Sequence, residues 1–343
     1  MLAVVKENTN EAFRIMEVPV PCIEDDEILV KVICTGICGT DLPIFEGARK
    51  VDMPFIPGHE FSGTVEKIGD KVIGFRIGDR VSGSIVIGCG ECYYCKNDLE
   101  TLCCNIVETG IHVNGSFAQY IKVPSKVTHK IADKVSFEQA ACVDPLASAY
   151  RMTNKALIKA SDTVVVFGSG PIGLFVIQLL KMMHTKKIIL IGSENDDFKL
   201  EVGKKLGADY SINVNVEDHI ERIKLYNDGL LADKVIEAVG KEPVVDMCLD
   251  AVKKNGLVST GGIFKDSVRF NYSKIVRNEI TVTGSICYTS NEFKKCLKLL
   301  EKGYISTDLI ITHKFKLDEM GLALETIKSK KALKVLLYPD IKQ

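Results

Sequence analysis

At 343 residues the chain exceeds what one hydrophobic core usually serves, so two domains are expected. Its 44 Lys and Arg nearly cancel its 45 Asp and Glu, and no basic block occurs, which argues against a nucleic-acid or anionic-membrane partner. The N-terminal MLAVVKENTNEAF lacks the order of a secretory leader, and the longest apolar stretch (164–180) is broken by Gly-Ser-Gly-Pro. Cys22, Cys34, Cys142, Cys248, Cys287 and Cys296 are scattered without a disulfide rhythm, as expected of a cytoplasmic protein.

The first 150 residues read as strands. EILVKVIC (27–34), EFSGTVEKIG (60–69), GDRVSGSIV (78–86) and GSFAQYIKV (115–123) are short alternating or β-branched runs punctuated by Gly and Pro. No long helix intervenes, which predicts a barrel-like antiparallel domain. Between these strands lie GICGTD (36–41) and PGHEFSG (57–63), which supply Cys38, His59 and Glu60 in Gly-flanked turns. A catalytic zinc takes about three protein ligands of mixed type and keeps one position open. The third can come from CVDPLASAY (142–150), where Asp144 precedes a Pro at the junction of the two expected domains. Singly, each residue has a plainer reading: a small buried Cys38, a hydrogen-bonded turn His59 and a helix-capping Asp144.

CGECYYCKNDLETLCC (89–104) holds Cys89, Cys92, Cys95 and Cys103 at C-x2-C-x2-C-x7-C spacing. Four thiolates close a tetrahedral zinc shell and leave no place for a substrate, so this cluster reads as structural. Glu91, Asp98 and Glu100 surround it, which argues against a nucleic-acid-binding ribbon, and Cys104 is a bystander.

From about residue 160 strands alternate with helices. TVVVFG (163–168) leads into a helix from Pro171, followed by KKIILIG (186–192), DDFKLEVGKKLG (196–207), YSINV (210–214) and HIERIKLYN (219–227). DKVIEAVG (233–240), a helix over 242–256, GLVSTGGI (256–263) and EITVTGSI (279–286) continue the series. This is the rhythm of a doubly wound parallel sheet, an α/β fold. Gly168, Gly170 and Gly173 form G-x-G-x-x-G directly after an apolar strand, with Pro171 and Ile172 opening the helix whose N-terminus would face a pyrophosphate. Glu194 follows the next strand about 20 residues on, placed to accept ribose hydroxyls. Ser193 beside it is small, and Lys199 lies one helical turn further. NAD is expected, with NADP left open.

These motifs occur in the order found in a known family. GICGTD, PGHEFSGTVEKIG, GDRVSG, the four-cysteine lobe, GSFAQY, DPL, GSGPIG and ITHKF (311–315) resemble the zinc-dependent medium-chain dehydrogenases, above all the sorbitol (polyol) and threonine dehydrogenase branch. The resemblance implies a GroES-like, β-barrel-type catalytic domain over 1–149 completed by 288–343. It also implies a Rossmann dinucleotide-binding domain over 150–287. It further implies NAD(P)-linked oxidation of a secondary alcohol (a polyol, a sugar-derived or an amino alcohol), two zinc ions per chain and a homodimer or homotetramer. Cys38 and His59 match the catalytic zinc ligands, and Glu60 the acidic residue that meets the metal directly or through water. Asp144 matches a position that varies among Glu, Cys and Asp, and Thr40 matches the hydroxyl residue that takes the substrate's proton. Cys89, Cys92, Cys95 and Cys103 match the structural zinc ligands. One position departs: many relatives carry a relay His where CGTDLP has Pro43, and His112 reads as a loop histidine without a catalytic role in preference to a replacement relay. Ile44, Phe45 and Tyr288 are candidates for the pocket lining. A non-catalytic dinucleotide-binding sensor or structural relative of the same fold is the alternative.

Overall fold

A computed structural model of the chain describes residues 1–8 and 13–339. It divides into one unit of Met1–Asp144 with Tyr288–Gln343, and a second of Pro145–Cys287.

The first unit is built on a seven-stranded sheet. From one edge its strands run Ile311–Lys316, Lys334–Tyr338, Glu27–Gly36, Glu60–Ile68, Arg80–Gly83 and Thr128–Lys130, with Tyr120–Pro124 pairing on Glu27–Gly36. All neighbours are antiparallel except the first two strands, which run parallel. Alternation along Glu27–Gly36 puts Ile28, Val30 and Val32 into one core with Phe61, Val65, Val81, Ile121 and Val123. Such burial stabilises by about 1.5–3 kcal/mol per large aliphatic side chain. The expected strand over 115–123 is shorter than its sequence pattern, running Tyr120–Pro124. Residues 115–117 instead bond individually to the backbone at 56–58 and sit against it, with the Gly115 N–H on the Ile56 carbonyl.

The second unit is a six-stranded parallel sheet in the order Tyr210–Asn213, Lys187–Gly192, Thr163–Phe167, Ala232–Glu237, Val252–Thr260, Thr281–Gly284. The strand Thr163–Phe167 is buried along its whole length and apolar after Thr163, as a strand covered by helices on both faces must be. One expected element moves. The helix anticipated over 242–256 stops at Ala251, and Val252–Thr260 is strand. Val252 pairs with Ala232 and buries its branched side chain, so sheet packing overrides the helical pattern of the sequence there. Among the described residues no helix is long and apolar enough to cross a membrane.

Candidate functional site

The strand ladder assembles the first cluster. Gly36, the last residue of Glu27–Gly36, is paired with Glu60, the first of Glu60–Ile68, so the turn after one strand lies beside the entry to the other. A side chain at Gly36 would collide with the Glu60 carboxylate, its Cβ falling 2.3 Å from Oε2. Beyond Gly36 the turn is tied by Asp41, which accepts the Cys38 N–H at 2.9 Å and returns its own N–H to the Cys38 carbonyl at 3.1 Å. Cys38, His59 and Glu60 thereby offer a sulfur, a nitrogen and an oxygen within 4.8 Å of one another, a donor set suited to a zinc ion. Thr40 Oγ1 lies in the same turn, buried and without a hydrogen-bond partner among the described residues, as a hydroxyl awaiting a ligand would be.

Two further side chains hold this set. Asp41 Oδ1 stands 3.7 Å from His59 Nδ1, both wholly buried. Burial alone would lower the His59 pKa, but the Asp41 carboxylate raises it well above the ordinary value. An imidazole backed by a carboxylate at one ring nitrogen is oriented to offer the other to a cation. Lys334, on the C-terminal strand, donates to both Glu60 oxygens at 2.8 and 2.6 Å and to the Ile37 carbonyl at 3.1 Å. Asp144 is not among the three converging donors. Its Oδ2 takes the Tyr288 hydroxyl, which in turn accepts the Ile85 N–H at 3.2 Å. Burial, with Glu60 nearby and His59 opposing, pushes the Asp144 carboxyl up to about 6.

Other expected residues fall elsewhere. Tyr288 is fully buried and engaged with Asp144, and Ile44 is wholly within the core. Phe45 packs edge-on against Phe13 and stacks on Phe117. Pro43 lies inside the short helix Leu42–Phe45. The ring of His112 is half exposed, and its Nδ1 accepts the Glu108 N–H at 3.0 Å. Asp41 and Lys334 are the residues the sequence reading missed. Asp41 ends the GICGTD motif itself, whereas nothing local marks Lys334.

The four-cysteine lobe forms a second cluster. Sγ of Cys89 and Cys95 are 4.0 Å apart and those of Cys92 and Cys103 3.8 Å apart, with all four within 4.8 Å. Four thiolates about 2.3 Å from one zinc stand about 3.8 Å from each other, so the spacing fits a tetrahedral ion. Backbone N–H groups of Cys89, Glu91, Cys92 and Asn105 point at the sulfurs of Cys89 and Cys103 at 3.3–3.4 Å. The N–H groups of Cys95 and Cys104 hold the Cys92 thiol down at about 6. Cys104 itself is exposed.

The glycine loop closes on the second unit's central strand. Gly168 has φ +112°, and a Cβ there would lie 2.9 Å from the Ala238 carbonyl oxygen. A Cβ at Gly173 would strike Gly168 O, so both glycines are demanded by packing. Gly170 differs: a Cβ there meets nothing within 4 Å, which leaves open space over the N-terminus of helix Pro171–Met182, the place a pyrophosphate would take. Ile172 lies in the first turn of that helix. The loop Gly168 rests on is fixed by Glu237, another residue the sequence did not signal. Its buried carboxylate accepts the N–H groups of Val239 and Gly240 at 2.7 Å, that of Gly262 at 3.2 Å and the Thr260 hydroxyl at 2.8 Å. After Lys187–Gly192, Ser193 and Glu194 are exposed, the Glu194 N–H bonding Asn215 Oδ1 at 2.9 Å. Lys199 points back to Asp196.

Residues 24–133 match the family model "Alcohol dehydrogenase GroES-like domain" and residues 171–302 the model "Zinc-binding dehydrogenase". The chain is 35% identical to a sorbitol dehydrogenase of Halalkalibacterium halodurans over 95% of its own length and 96% of the relative's. It is 34% identical to a D-arabitol-phosphate dehydrogenase of Enterococcus avium, over 94% and 92% of the two chains. Among solved structures it is similar to an E. coli CFT073 alcohol dehydrogenase complexed with NADH (TM-score 0.91, 29% identity, 98% and 99% covered). It is equally similar to a zinc-binding dehydrogenase of Sinorhizobium meliloti 1021 bound to NADP (TM-score 0.91, 30% identity, 98% and 99% covered).

Proposed function

The chain belongs to the zinc-dependent medium-chain alcohol dehydrogenases, in the sorbitol and threonine dehydrogenase branch, and on that premise we propose how its own residues share the work. The protein is an oxidoreductase that moves a hydride between a secondary alcohol and NAD(P). Cys38 and His59 hold the catalytic zinc, with Glu60 or Asp144 completing the set. Bound there, zinc supplies Lewis acidity and the nicotinamide supplies the hydride acceptor. Thr40 receives the substrate's hydroxyl proton at Oγ1, and Asp41 keeps His59 in its ligating orientation. Lys334 restrains Glu60, as Tyr288 restrains Asp144. The observation that carries this reading is the convergence of the Cys38, His59 and Glu60 donors beside the unpartnered Thr40 hydroxyl. With Pro43 where relatives have a relay His, the proton leaves Thr40 through water or the cofactor ribose.

Cys89, Cys92, Cys95 and Cys103 hold a second, structural zinc. Gly168, Gly170, Pro171, Ile172 and Gly173 bind the pyrophosphate, and Ser193, Glu194 and Lys199 flank the adenosine ribose, in favour of NAD. The names of the relatives support a polyol or a sugar-derived alcohol as substrate. Among the described residues the strand Thr281–Gly284 has a neighbour on one side only, and its Val282 is 46% exposed, which supports a homodimer through that edge or a tetramer built from such dimers. Twelve unpaired cysteines support a reducing, cytoplasmic setting.

The test is turnover of a panel of polyols, polyol phosphates and amino alcohols with NAD, comparing wild type with Thr40→Val. Loss of the proton acceptor should lower kcat by about 10²–10⁴-fold with the zinc content unchanged. Equal kcat in the two proteins would remove Thr40 from the reaction.

A further inference from the structure

Structures similar to this chain carry either NADH or NADP, so the fold alone does not choose between them. The choice falls to the turn after Lys187–Gly192, where a 2′-phosphate would have to be met by cations. Residues 193–200 read SENDDFKL, three carboxylates and one ammonium. That ammonium is already engaged. Lys199 Nζ lies 2.8 Å from Asp196 Oδ1, and the two side chains are only 13% and 15% exposed. Asp196 is itself built into the turn. Its Oδ2 accepts the Ser193 N–H at 3.0 Å, and the Ser169 hydroxyl of the glycine loop also donates to it. Burial alone would raise its pKa, but the Lys199 ammonium and the Ser193 N–H hold the carboxyl below its ordinary range, so it is charged at neutral pH. Asp197 is likewise occupied, accepting from Asn213 at 2.9 Å. Glu194 and Asp197 are both exposed, and Glu194, the one whose side chain is not held by Asn213, is placed to accept ribose hydroxyls and to repel a phosphate.

We infer that Asp196 is a specificity-determining residue: by binding Lys199 in a fixed, half-buried ion pair, it withholds the one cation of this turn from a 2′-phosphate and so selects NAD over NADP. This rests on the cofactor reading above and adds the residue that enforces it. A carboxylate facing a free ribose 2′-hydroxyl is only half of the discrimination. The other half is an ammonium that cannot swing away from its partner without leaving Asp196 partly buried and unpaired, which is costly. Releasing the lysine should therefore favour the phosphorylated cofactor without any new side chain being introduced.

The experiment measures binding of NADH and NADPH to the zinc-loaded enzyme by nicotinamide fluorescence, for wild type, Asp196→Asn and Asp196→Asn with Lys199→Ala. Circular dichroism and melting temperature serve as the check on folding. Wild type should bind NADH at least about 100-fold more tightly than NADPH, two unfavourable contacts of about 1.4 kcal/mol each. Asp196→Asn should narrow that ratio at least 10-fold, mainly through tighter NADPH binding, and Lys199→Ala in the same chain should cancel the gain. An unchanged ratio in a folded Asp196→Asn enzyme, or a gain that survives loss of Lys199, overturns the inference while leaving the NAD assignment in place. Tighter binding of NADPH by wild type overturns the NAD assignment itself, and the inference with it.

Discussion

Among the described residues His59 has no direct partner at Nδ1 other than the approach of Asp41, two buried groups 3.7 Å apart that share one charge-rich corner. Asp41 also fixes the backbone of Cys38, so one carboxylate sets both a sulfur and an imidazole. Asp41→Asn keeps the volume and the bond from the Cys38 N–H but removes the charge behind the imidazole. Losing such a partner typically costs 10–100-fold in metal affinity or activity, so the variant should release its catalytic zinc to a chelator at least about 10-fold faster than wild type. The rate of zinc transfer to a colorimetric chelator reads this, and equal rates in the two proteins would assign Asp41 a purely structural role. The residues of this centre differ in how visible they are in the sequence. Cys38, Thr40, His59 and Glu60 stand in two short Gly-bounded motifs and could be picked out locally. Lys334 lies 274 positions from Glu60 and becomes its partner only because a C-terminal strand joins the N-terminal sheet. Glu237 and Asp196 are acidic residues in runs that contain several, and only hydrogen bonding separates the organising carboxylate from its solvated neighbours. Tyr288 could be read as a pocket residue because a Tyr in a turn carries no sign of which way its hydroxyl points.

At the scale of elements, alternation and Gly punctuation made the strands readable, and the glycine loop announced its own strand-turn-helix. The misjudged boundary at Ala251 has a physical cause. The amphipathic run continues past it in sequence, yet Val252 gains a strand partner in Ala232 and a place in the core. A second element-level feature concerns acid stability. The strand Thr128–Lys130 packs His129 against Phe293 of the helix Ser290–Glu301, with ring centroids 4.8 Å apart and His129 Nε2 buried without a hydrogen-bond partner among the described residues. Burial, aided by Lys294, depresses its pKa to about 4. Because the folded-state pKa lies below the unfolded value, the unfolded chain binds the proton first. Stability is therefore fully present above about pH 6.5 and is lost as pH falls toward about 4, by up to roughly 3 kcal/mol from this one group. His129→Gln removes the titration. Relative to wild type, the variant should gain melting temperature steadily between pH 7 and pH 4.5, and a difference that stays constant with pH would show that His129 titrates normally. Metal loss in acid affects both proteins and cancels in the comparison.

In the molecule as a whole, two cysteine-containing clusters are suited to separate tasks. The lobe at Cys89, Cys92, Cys95 and Cys103 closes a sulfur shell and offers no position to a substrate, whereas Cys38, His59 and Glu60 offer three mixed donors beside a free hydroxyl. Metal held in a closed thiolate shell contributes to folding, while metal in an open site contributes chiefly to reactivity. The most direct test is zinc per chain by elemental analysis, on wild type and Cys38→Ala purified without chelator, with melting temperature recorded on the same samples. The account predicts two zinc ions in wild type and one in Cys38→Ala, the variant inactive but melting within a few degrees of wild type. One zinc in wild type that added zinc does not increase, or two retained in Cys38→Ala, would contradict it.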